Sequence, residues 1–198
     1  MWLHPETPPP WRTPGVVPPP GGPAAVLFDR DGTLVVDVPY NGDPDQVRLM
    51  PGVPETLARL RSAGIGIGVV TNQSGVGRGL LTGDDVRRVH RRLAELAGPI
   101  DVWAVCPHAP EAGCACRKPM PGLVRGAAGH LGVEPRDCVV IGDIAADMGA
   151  AAAAGARGIL VPTPVTLPEE VEAAPERADD LVAAVDLALA GTADPVGR

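Results

Sequence analysis

The chain has 198 residues, a formal net charge of −7 and 45% hydrophobic residues, which fits one globular domain with a sizeable core. The acidic balance argues against a nucleic-acid-binding surface, which normally shows a basic patch. No apolar run reaches the roughly 18 residues that a membrane-spanning helix needs. We therefore expect no nucleic-acid partner and no membrane partner, and we expect a monomer in the cytoplasm.

The first 23 residues contain nine prolines and no apolar segment of the kind that a secretory signal carries. This composition predicts a disordered, polyproline-II-like arm over residues 1–23. A docking motif within this arm stays open as an alternative to a plain linker. We expect the folded domain to cover residues 24–190 and a flexible tail to cover residues 191–198.

Short apolar strands and amphipathic helices alternate through the rest of the chain. Strands are predicted over 25–28, 65–70, 101–105, 138–143 and 157–161, and helices over 53–63, 82–97, 121–131, 145–154 and 179–190. This alternation predicts an α/β fold, a single Rossmann-like three-layer domain around a central parallel sheet. Thr82 and Asp85 have the form of a capping box, Asp179 is the predicted N-cap of the last helix, and Leu96 is expected to face inward. Residues 162–178 are rich in Pro and Glu and are only loosely specified.

Polar residues follow three of these strands. Asp29 and Asp31 come directly after the first strand, Thr71 ends the second, and Asp143 ends the fourth. Because the carboxyl ends of parallel strands meet at one edge of a sheet, we expect these side chains to converge. Carboxylates two residues apart can serve as nucleophile or metal ligand and as acid/base. A plain turn at D-x-D-G and a helix N-cap at Asp143 stay open at this point.

Three cysteines and one histidine lie close together in the sequence: Cys106, His108, Cys114 and Cys116. Three thiolates and an imidazole form a complete tetrahedral zinc set with no open position, which indicates a structural Zn²⁺ site. A reduced cluster without metal is the alternative. The cluster continues directly into Arg117 and Lys118, and Lys118 is the only lysine of the chain.

Four segments follow one another in a recognisable order: FDRDGTL at 28–34, VVTNQSG at 69–75, CRKP at 116–119 and IGDIAADM at 141–148. Together they resemble the four motifs of the haloacid dehalogenase superfamily of phosphohydrolases. The resemblance covers roughly residues 25–161. The intervals between the motifs leave no room for a separate cap domain, so an open site is expected.

The resemblance implies a role for each motif residue. Asp29 would attack phosphorus and form an aspartyl-phosphate, and Asp31 would act as the acid/base. Thr71 would donate a hydrogen bond to a phosphoryl oxygen, and Lys118 would neutralise charge on Asp29. Mg²⁺ would be held by the carboxylate of Asp29, the backbone carbonyl of Asp31 and Asp143, which are the hard oxygen ligands that this ion prefers.

Further positions follow from the same resemblance. Asp147 would orient the groups around the metal rather than bind it. Residues expected to contact the substrate are Asp37, Tyr40, Asn72, Gln73, Ser74, Arg78 and Arg117.

The DRDGT motif, followed by a CPH…CxC loop and RKP, resembles the zinc-containing branch of the superfamily. That branch includes histidinol-phosphate phosphatases and D-glycero-D-manno-heptose 1,7-bisphosphate phosphatases. The segment VVDVPYNG and the motif TNQSGVGRG favour the heptose bisphosphate phosphatases. Val38 and Pro39 depart from the usual His-Gly pair, and Ile144 stands where a lysine is frequent.

The predicted function is therefore Mg²⁺-dependent hydrolysis of a small phosphorylated sugar, with heptose 1,7-bisphosphate as the favoured substrate. Histidinol phosphate and other small phosphate esters are the alternatives within the same chemistry. A phosphotransferase and a non-catalytic binding domain are the alternatives outside it. Asp29, Asp31 and Lys118 are all present, which argues against a non-catalytic domain.

Overall fold

The structure is a computed structural model that describes residues 1–4 and 21–190. Its strands are β1 (Trp2–His4), β2 (Ala25–Phe28), β3 (Gly66–Asn72), β4 (Val102–Cys106), β5 (Cys138–Gly142) and β6 (Arg157–Leu160). Its helices are α1 (Val53–Ser62), α2 (Ser74–Gly77), α3 (Gly83–Ala97), α4 (Gly122–Leu131), α5 (Ala145–Ala154), α6 (Pro168–Ala173) and α7 (Leu181–Leu189). Short 3₁₀ turns lie at Pro44–Gln46, Pro110–Ala112 and Pro135–Asp137.

The strands form one six-stranded sheet in the order β1-β4-β3-β2-β5-β6. Strands β2 to β6 pair in parallel, so the carboxyl ends of these five strands lie along one edge of the sheet. Strand β2 lies between β3 and β5, and the order of connection reverses beside it. Ligands of open α/β sheets bind at such a switch point, just beyond the strand ends.

Two apolar cores cover the two faces of the sheet. One core joins α1, α3 and α7 to strand residues that include Val26, Phe28 and Trp103. The other core joins α4 and α5 to residues of the opposite face, such as Leu27 and Val140. Alternate residues of each strand thus point to opposite helix layers, as the two-residue period of a strand requires. The predicted three-layer α/β domain is confirmed.

The segments between the strands are short. Between β2 and α1 the structure has loops and one 3₁₀ turn, and between β3 and β4 it has only α2 and α3. Within residues 21–190, no separate cap domain covers the carboxyl edge. No helix of the described residues has the length and hydropathy to cross a membrane.

The N-terminus differs from the predicted disordered arm. Residues Trp2–His4 form an edge strand that pairs antiparallel with β4, so the prediction is wrong for these residues. Trp2 approaches Gly83 of α3, and Met1 and Leu3 approach Gly126 of α4. The predictions for residues 5–20 and for the tail at 191–198 lie outside the described residues.

Three other details differ from the sequence-based expectations. The N-cap of α7 is Asp180, whose carboxylate accepts from the amide of Ala183, rather than Asp179. Leu96 is 37% exposed, whereas His90 is buried on the inward face of the same helix. The loosely specified segment after β6 contains α6. The capping box of Thr82 and Asp85 is confirmed.

Candidate active site

The strand ends bring the predicted catalytic residues to one cavity. Asp29 follows β2, Thr71 lies at the end of β3, and Asp143 follows β5. These residues line a cavity of about 280 Å³ at the carboxyl edge of the sheet, together with Asp31 and Lys118. The convergence that the sequence predicted is thus present.

Lys118 connects two carboxylates in this cavity. Its Nζ lies 2.7 Å from Oδ1 of Asp29 and 2.5 Å from Oδ1 of Asp147, and it donates to the carbonyl oxygen of Val70 at 2.9 Å. Three acceptors take up the three hydrogens of an ammonium group. Lys118 is 3% exposed, so its charge acts on its partners with little screening by water.

The carboxylates form a cluster that fits a divalent cation. Oxygen atoms of Asp29, Asp143 and Asp147 lie within 4.8 Å of one another, and all three residues are buried. Three carboxylates share one ammonium group, which leaves an excess of negative charge when all of them are ionised. Burial raises the pKa of Asp29 to about 8, although the nearby ammonium group of Lys118 acts to lower this pKa. Burial, and then the charge of Asp147, raises the pKa of Asp143 to about 7.

Asp147 does not line the cavity, whereas Asp29 and Asp143 do. Its carboxylate binds Lys118 and accepts from the amide of Ile144 at 3.3 Å. Asp29 and Asp143 are therefore the carboxylates that fit a hard cation such as Mg²⁺ within the cavity.

Two glycines allow the close approaches in this cluster. Gly32 has φ +83°, and a Cβ there would lie 2.3 Å from a carboxylate oxygen of Asp143. At Gly142, a Cβ would lie 2.3 Å from the carboxylate carbon of Asp147. Any side chain at these two positions would displace a carboxylate of the cluster.

Asp31 is held apart from the carboxylate cluster. Nε of Arg30 donates to Oδ1 of Asp31 at 3.0 Å, and Nη2 of Arg30 lies 2.9 Å from Oδ2. Gln73 donates through Nε2 to Oδ2 of Asp31 and to Oγ1 of Thr71, both at 2.9 Å. The Asp31 side chain lines the cavity and remains 24% exposed, so the group predicted to act as the acid/base is accessible from the cavity.

Asn72 and Gln73, two residues predicted to bind substrate, line the cavity and also form hydrogen bonds to predicted catalytic residues. The side chain of Asn72 accepts from the amide of Lys118 at 3.1 Å and donates to its carbonyl oxygen at 3.3 Å. The amide of Gln73 is engaged by Asp31 and Thr71. Both side chains thus position catalytic residues, and their hydrogen bonds explain why the polar run continues beyond Thr71.

The other predicted contacts surround the mouth of the cavity. Asp37, Tyr40, Ser74 and Arg117 line it. Arg78 does not line it but donates through Nη1 to the hydroxyl oxygen of Tyr40 at 2.7 Å. Five further residues that were not predicted as site residues also line the cavity: Arg30, Val38, Gly75, Ile144 and Val165. Arg30 could have been found from its place between two aspartates, whereas nothing in the Pro-rich segment marked Val165.

Arg117 and Tyr40 have unusual environments at this mouth. Nη1 of Arg117 is buried without a hydrogen-bond partner, and no carboxylate in the described residues forms an ion pair with this side chain. Tyr40 has φ 53°, a left-handed backbone conformation that non-glycine residues seldom adopt. Its ring lies against Gly75, where a Cβ would come within 2.8 Å of the ring carbon Cδ1.

The predicted zinc ligands form a compact cluster beside the cavity. Sγ of Cys106 lies 3.6 Å from both Nδ1 of His108 and Sγ of Cys114. Sγ of Cys116 lies 3.3 Å from Nδ1 of His108 and 3.5 Å from Sγ of Cys114. No disulfide joins them. These separations match the edges of a tetrahedron around Zn²⁺ with bonds of about 2.0–2.3 Å.

Comparison with known proteins gives concordant similarities. Residues 115–188 match the HAD-hydrolase-like family. The D-glycero-β-D-manno-heptose-1,7-bisphosphate 7-phosphatase of Bordetella bronchiseptica is 38% identical over 143 residues, which cover 70% of this chain and 80% of the relative. The corresponding α-heptose 7-phosphatase of Mycobacterium tuberculosis is 42% identical over 142 residues, which cover 66% and 75% of the two chains.

Solved structures give the same similarity. A crystal structure of the heptose bisphosphate phosphatase from B. bronchiseptica, complexed with magnesium and phosphate, superposes with a TM-score of 0.74 at 32% identity and covers 84% of this chain and 98% of that chain. A HAD-like phosphatase from Mesorhizobium loti superposes with a TM-score of 0.72 at 32% identity, covering 96% and 91%.

Proposed function

Because the chain belongs to the haloacid dehalogenase superfamily, in its heptose 1,7-bisphosphate phosphatase branch, we propose that it is a Mg²⁺-dependent phosphatase that removes the 7-phosphate of D-glycero-D-manno-heptose 1,7-bisphosphate. The observation that carries this proposal is the ion pair of Lys118 with Asp29, beside Asp143 and at the carboxyl edge of the sheet. This arrangement supports a nucleophile whose charge is balanced while it approaches a phosphate.

The first half of the reaction transfers the phosphoryl group to the protein. A carboxylate oxygen of Asp29 forms a bond to phosphorus, and the bond between phosphorus and the sugar oxygen breaks. Asp31 gives its proton to the departing sugar oxygen. Gln73 donates to Oγ1 of Thr71, which leaves the hydroxyl hydrogen of Thr71 free to bind a phosphoryl oxygen. Mg²⁺, held by Asp29, Asp143 and the backbone carbonyl of Asp31, would supply positive charge against the phosphoryl oxygens.

The second half releases phosphate. Asp31, now ionised, takes a proton from a water molecule whose oxygen attacks phosphorus, and the bond to Asp29 breaks. The products are heptose 1-phosphate and inorganic phosphate. Arg30 and Gln73 keep Asp31 in place through both halves, because both of its carboxylate oxygens accept from these side chains.

The sugar end of the substrate lies at the cavity mouth in this proposal. Arg117, which has no carboxylate partner in the described residues, fits the second phosphate. Asp37, Tyr40 and Ser74 line the same mouth and fit the sugar hydroxyls, and Arg78 holds the ring of Tyr40.

The test is phosphate release, with Mg²⁺, from both anomers of the heptose bisphosphate, from heptose 7-phosphate, from heptose 1-phosphate and from histidinol phosphate. We expect the bisphosphate to give the highest kcat/KM and heptose 1-phosphate to accumulate. A preference for histidinol phosphate would overturn the substrate assignment. Absence of hydrolysis with all of these esters would overturn the proposed chemistry.

We further propose that Zn²⁺ in the cluster of Cys106, His108, Cys114 and Cys116 is structural, because all four ligand positions are provided by the protein. The free thiols also support a reducing, cytoplasmic location. We propose a monomer without nucleic-acid or membrane partners, in which residues 24–190 form the catalytic domain. Light scattering of the purified protein, with and without added DNA or vesicles, tests this part.

A further inference from the structure

The segment that follows β6 is fixed to the loop that carries Asp143. Thr166 donates through Oγ1 to the backbone carbonyl oxygen of Asp143 at 2.7 Å. Oγ1 of Thr166 also accepts a hydrogen bond from the amide of Thr163 at 2.8 Å, which fixes the direction of the hydroxyl group. The hydroxyl of Thr166 therefore joins two backbone segments through a donated and an accepted hydrogen bond.

Glu170 forms a second connection between the same segments. One oxygen of its carboxylate accepts from the amide of Ala145 at 3.0 Å, and the other accepts from the amide of Leu167, also at 3.0 Å. These amides lie at the N-termini of α5 and α6, where helices have unpaired N–H groups and favour negative charge. A single side chain thus caps both helices and sets the distance between them.

These contacts leave little freedom to the backbone around Asp143. The carbonyl oxygen of Asp143 accepts a hydrogen bond from Thr166. The amide of Ile144 donates to the carboxylate of Asp147, and the amide of Ala145 donates to the carboxylate of Glu170. On the preceding side, the carbonyl oxygen of Gly142 accepts from Val161 at 2.8 Å. A displacement of about 1 Å at a catalytic group is enough to cost a large factor in rate, so such fixation matters for a ligand.

We propose that Thr166 and Glu170 are positioning residues that hold the backbone of Asp143 so that its carboxylate meets the divalent cation. This inference rests on the proposed function, because the position of Asp143 affects turnover only if the reaction needs the cation. Neither side chain lines the cavity, so both act through Asp143 rather than on the substrate.

The test compares the Mg²⁺ affinity of the wild type with that of Thr166→Val, Thr166→Ser, Glu170→Ala and Glu169→Ala. Affinity is measured without substrate, by calorimetry and by the rise of Tm with Mg²⁺, and again as the Mg²⁺ concentration that gives half-maximal turnover. Thr166→Val keeps the shape of the side chain and removes the hydroxyl, whereas Thr166→Ser keeps the hydroxyl. Glu169 is exposed on the same helix and serves as the matched control for Glu170.

We expect Thr166→Val and Glu170→Ala to lose about tenfold in Mg²⁺ affinity, the size usual for residues that orient metal ligands. At saturating Mg²⁺, kcat recovers towards the wild-type value, and Thr166→Ser and Glu169→Ala bind Mg²⁺ like the wild type. A lower Tm of the metal-free protein with unchanged Mg²⁺ affinity would show a merely structural role and overturn the inference.

The outcomes separate this inference from the proposed function. If the wild type neither binds Mg²⁺ nor hydrolyses the heptose bisphosphate, the proposed function fails and this inference fails with it. If the wild type does both and Thr166→Val and Glu170→Ala match it, only this inference fails. If Thr166→Val does not fold, the comparison of Mg²⁺ affinity between Glu170→Ala and Glu169→Ala is sufficient to test the inference.

Discussion

The ammonium nitrogen of Lys118 lies 2.7 Å from Oδ1 of Asp29, although the two residues follow different strands of the sheet. Asp29 is delivered by the end of β2, at the centre of the sheet, whereas Lys118 follows the cysteine-rich loop after β4. The contact therefore couples the position of the nucleophile to the order of that loop.

Loss of Lys118 should destabilise the protein. The variant Lys118→Met leaves Asp29 and Asp147 buried without their cation, so the free energy of unfolding at pH 8 should fall by about 3–5 kcal/mol. The loss should be smaller at pH 5, where Asp29 holds a proton because burial raises its pKa to about 8. Denaturant unfolding at both pH values measures this. Arg59→Met, which breaks an exposed ion pair with Asp186, is the control and should cost less than about 1 kcal/mol. Equal losses for the two variants would contradict the buried role of Lys118.

Asn72 should affect turnover rather than substrate binding. Asn72→Ala removes both hydrogen bonds that hold the backbone of Lys118, so kcat should fall by about 10–100-fold, in line with lost positioning. KM for the sugar phosphate should change little. Asn72→Asp, which keeps one acceptor for the amide of Lys118, should lie between wild type and Asn72→Ala. A raised KM with unchanged kcat would contradict this positioning role and support the sequence-based prediction that Asn72 contacts the substrate.

The sequence predicted most of the fold because the strands are continuous apolar runs and the helices have clear apolar faces. The sequence did not predict the structural features that depend on contacts between distant segments of the chain. The three residues of β1 are too short for any periodic pattern, and they are ordered by pairing with β4. The choice of Asp180 over Asp179 as N-cap is set by which carboxylate reaches the amide of Ala183.

The candidate site shows the same division. The convergence of Asp29, Thr71, Lys118 and Asp143 on one cavity was predicted, because these residues lie in motifs at strand ends or beside them. The hydrogen bonds of Gln73, Thr166 and the side chain of Asn72 were not predicted, because amide and hydroxyl groups bind many partners. Only the folded backbone decides which partner is within reach.

Mg²⁺ binding should depend on pH. Burial raises the pKa of Asp143 from its ordinary value of 3.8 to about 7, so the metal-free protein holds a proton there below neutrality. Mg²⁺ has to displace this proton and the proton that Asp29 holds below about pH 8, so its affinity should fall by about tenfold per pH unit between pH 8 and 7 and more steeply below pH 7. Calorimetry at pH 6, 7 and 8 measures this dependence.

The raised pKa of Asp143 also determines whether the stability of the protein rises or falls with pH. The folded-state pKa of Asp143 lies above its unfolded value, so its contribution to stability is present at low pH and is lost as the pH rises through about 7. The rise in Tm on adding Mg²⁺ should therefore be larger at pH 8 than at pH 6. Asp143→Asn should reduce this difference, and the part that remains should come from Asp29, whose pKa is raised by burial to about 8. An equal rise in Tm at both pH values in the wild type would contradict the assignment.

Zinc should stabilise the loop that carries Lys118. Cys114→Ser removes a half-buried ligand, so the zinc content should fall below about one ion per chain, and Tm and kcat should fall together. Cys138→Ala is the control, because Cys138 lies in β5 outside the cluster and its loss should leave the zinc content unchanged. Metal analysis and thermal unfolding, with Mg²⁺ in excess, measure both effects. A zinc-free protein with wild-type Tm and kcat would contradict the structural role.

In the proposed mechanism, Asp29 carries the phosphoryl group during turnover. Acid quench of the enzyme during hydrolysis of heptose 1,7-bisphosphate, followed by borohydride reduction and peptide mass spectrometry, tests it most directly. An aspartyl-phosphate at this position is reduced to homoserine, so we expect homoserine at position 29 in the wild type and none in Asp29→Asn. Rapid phosphate release without homoserine at position 29, or with the modification at another residue, would contradict it.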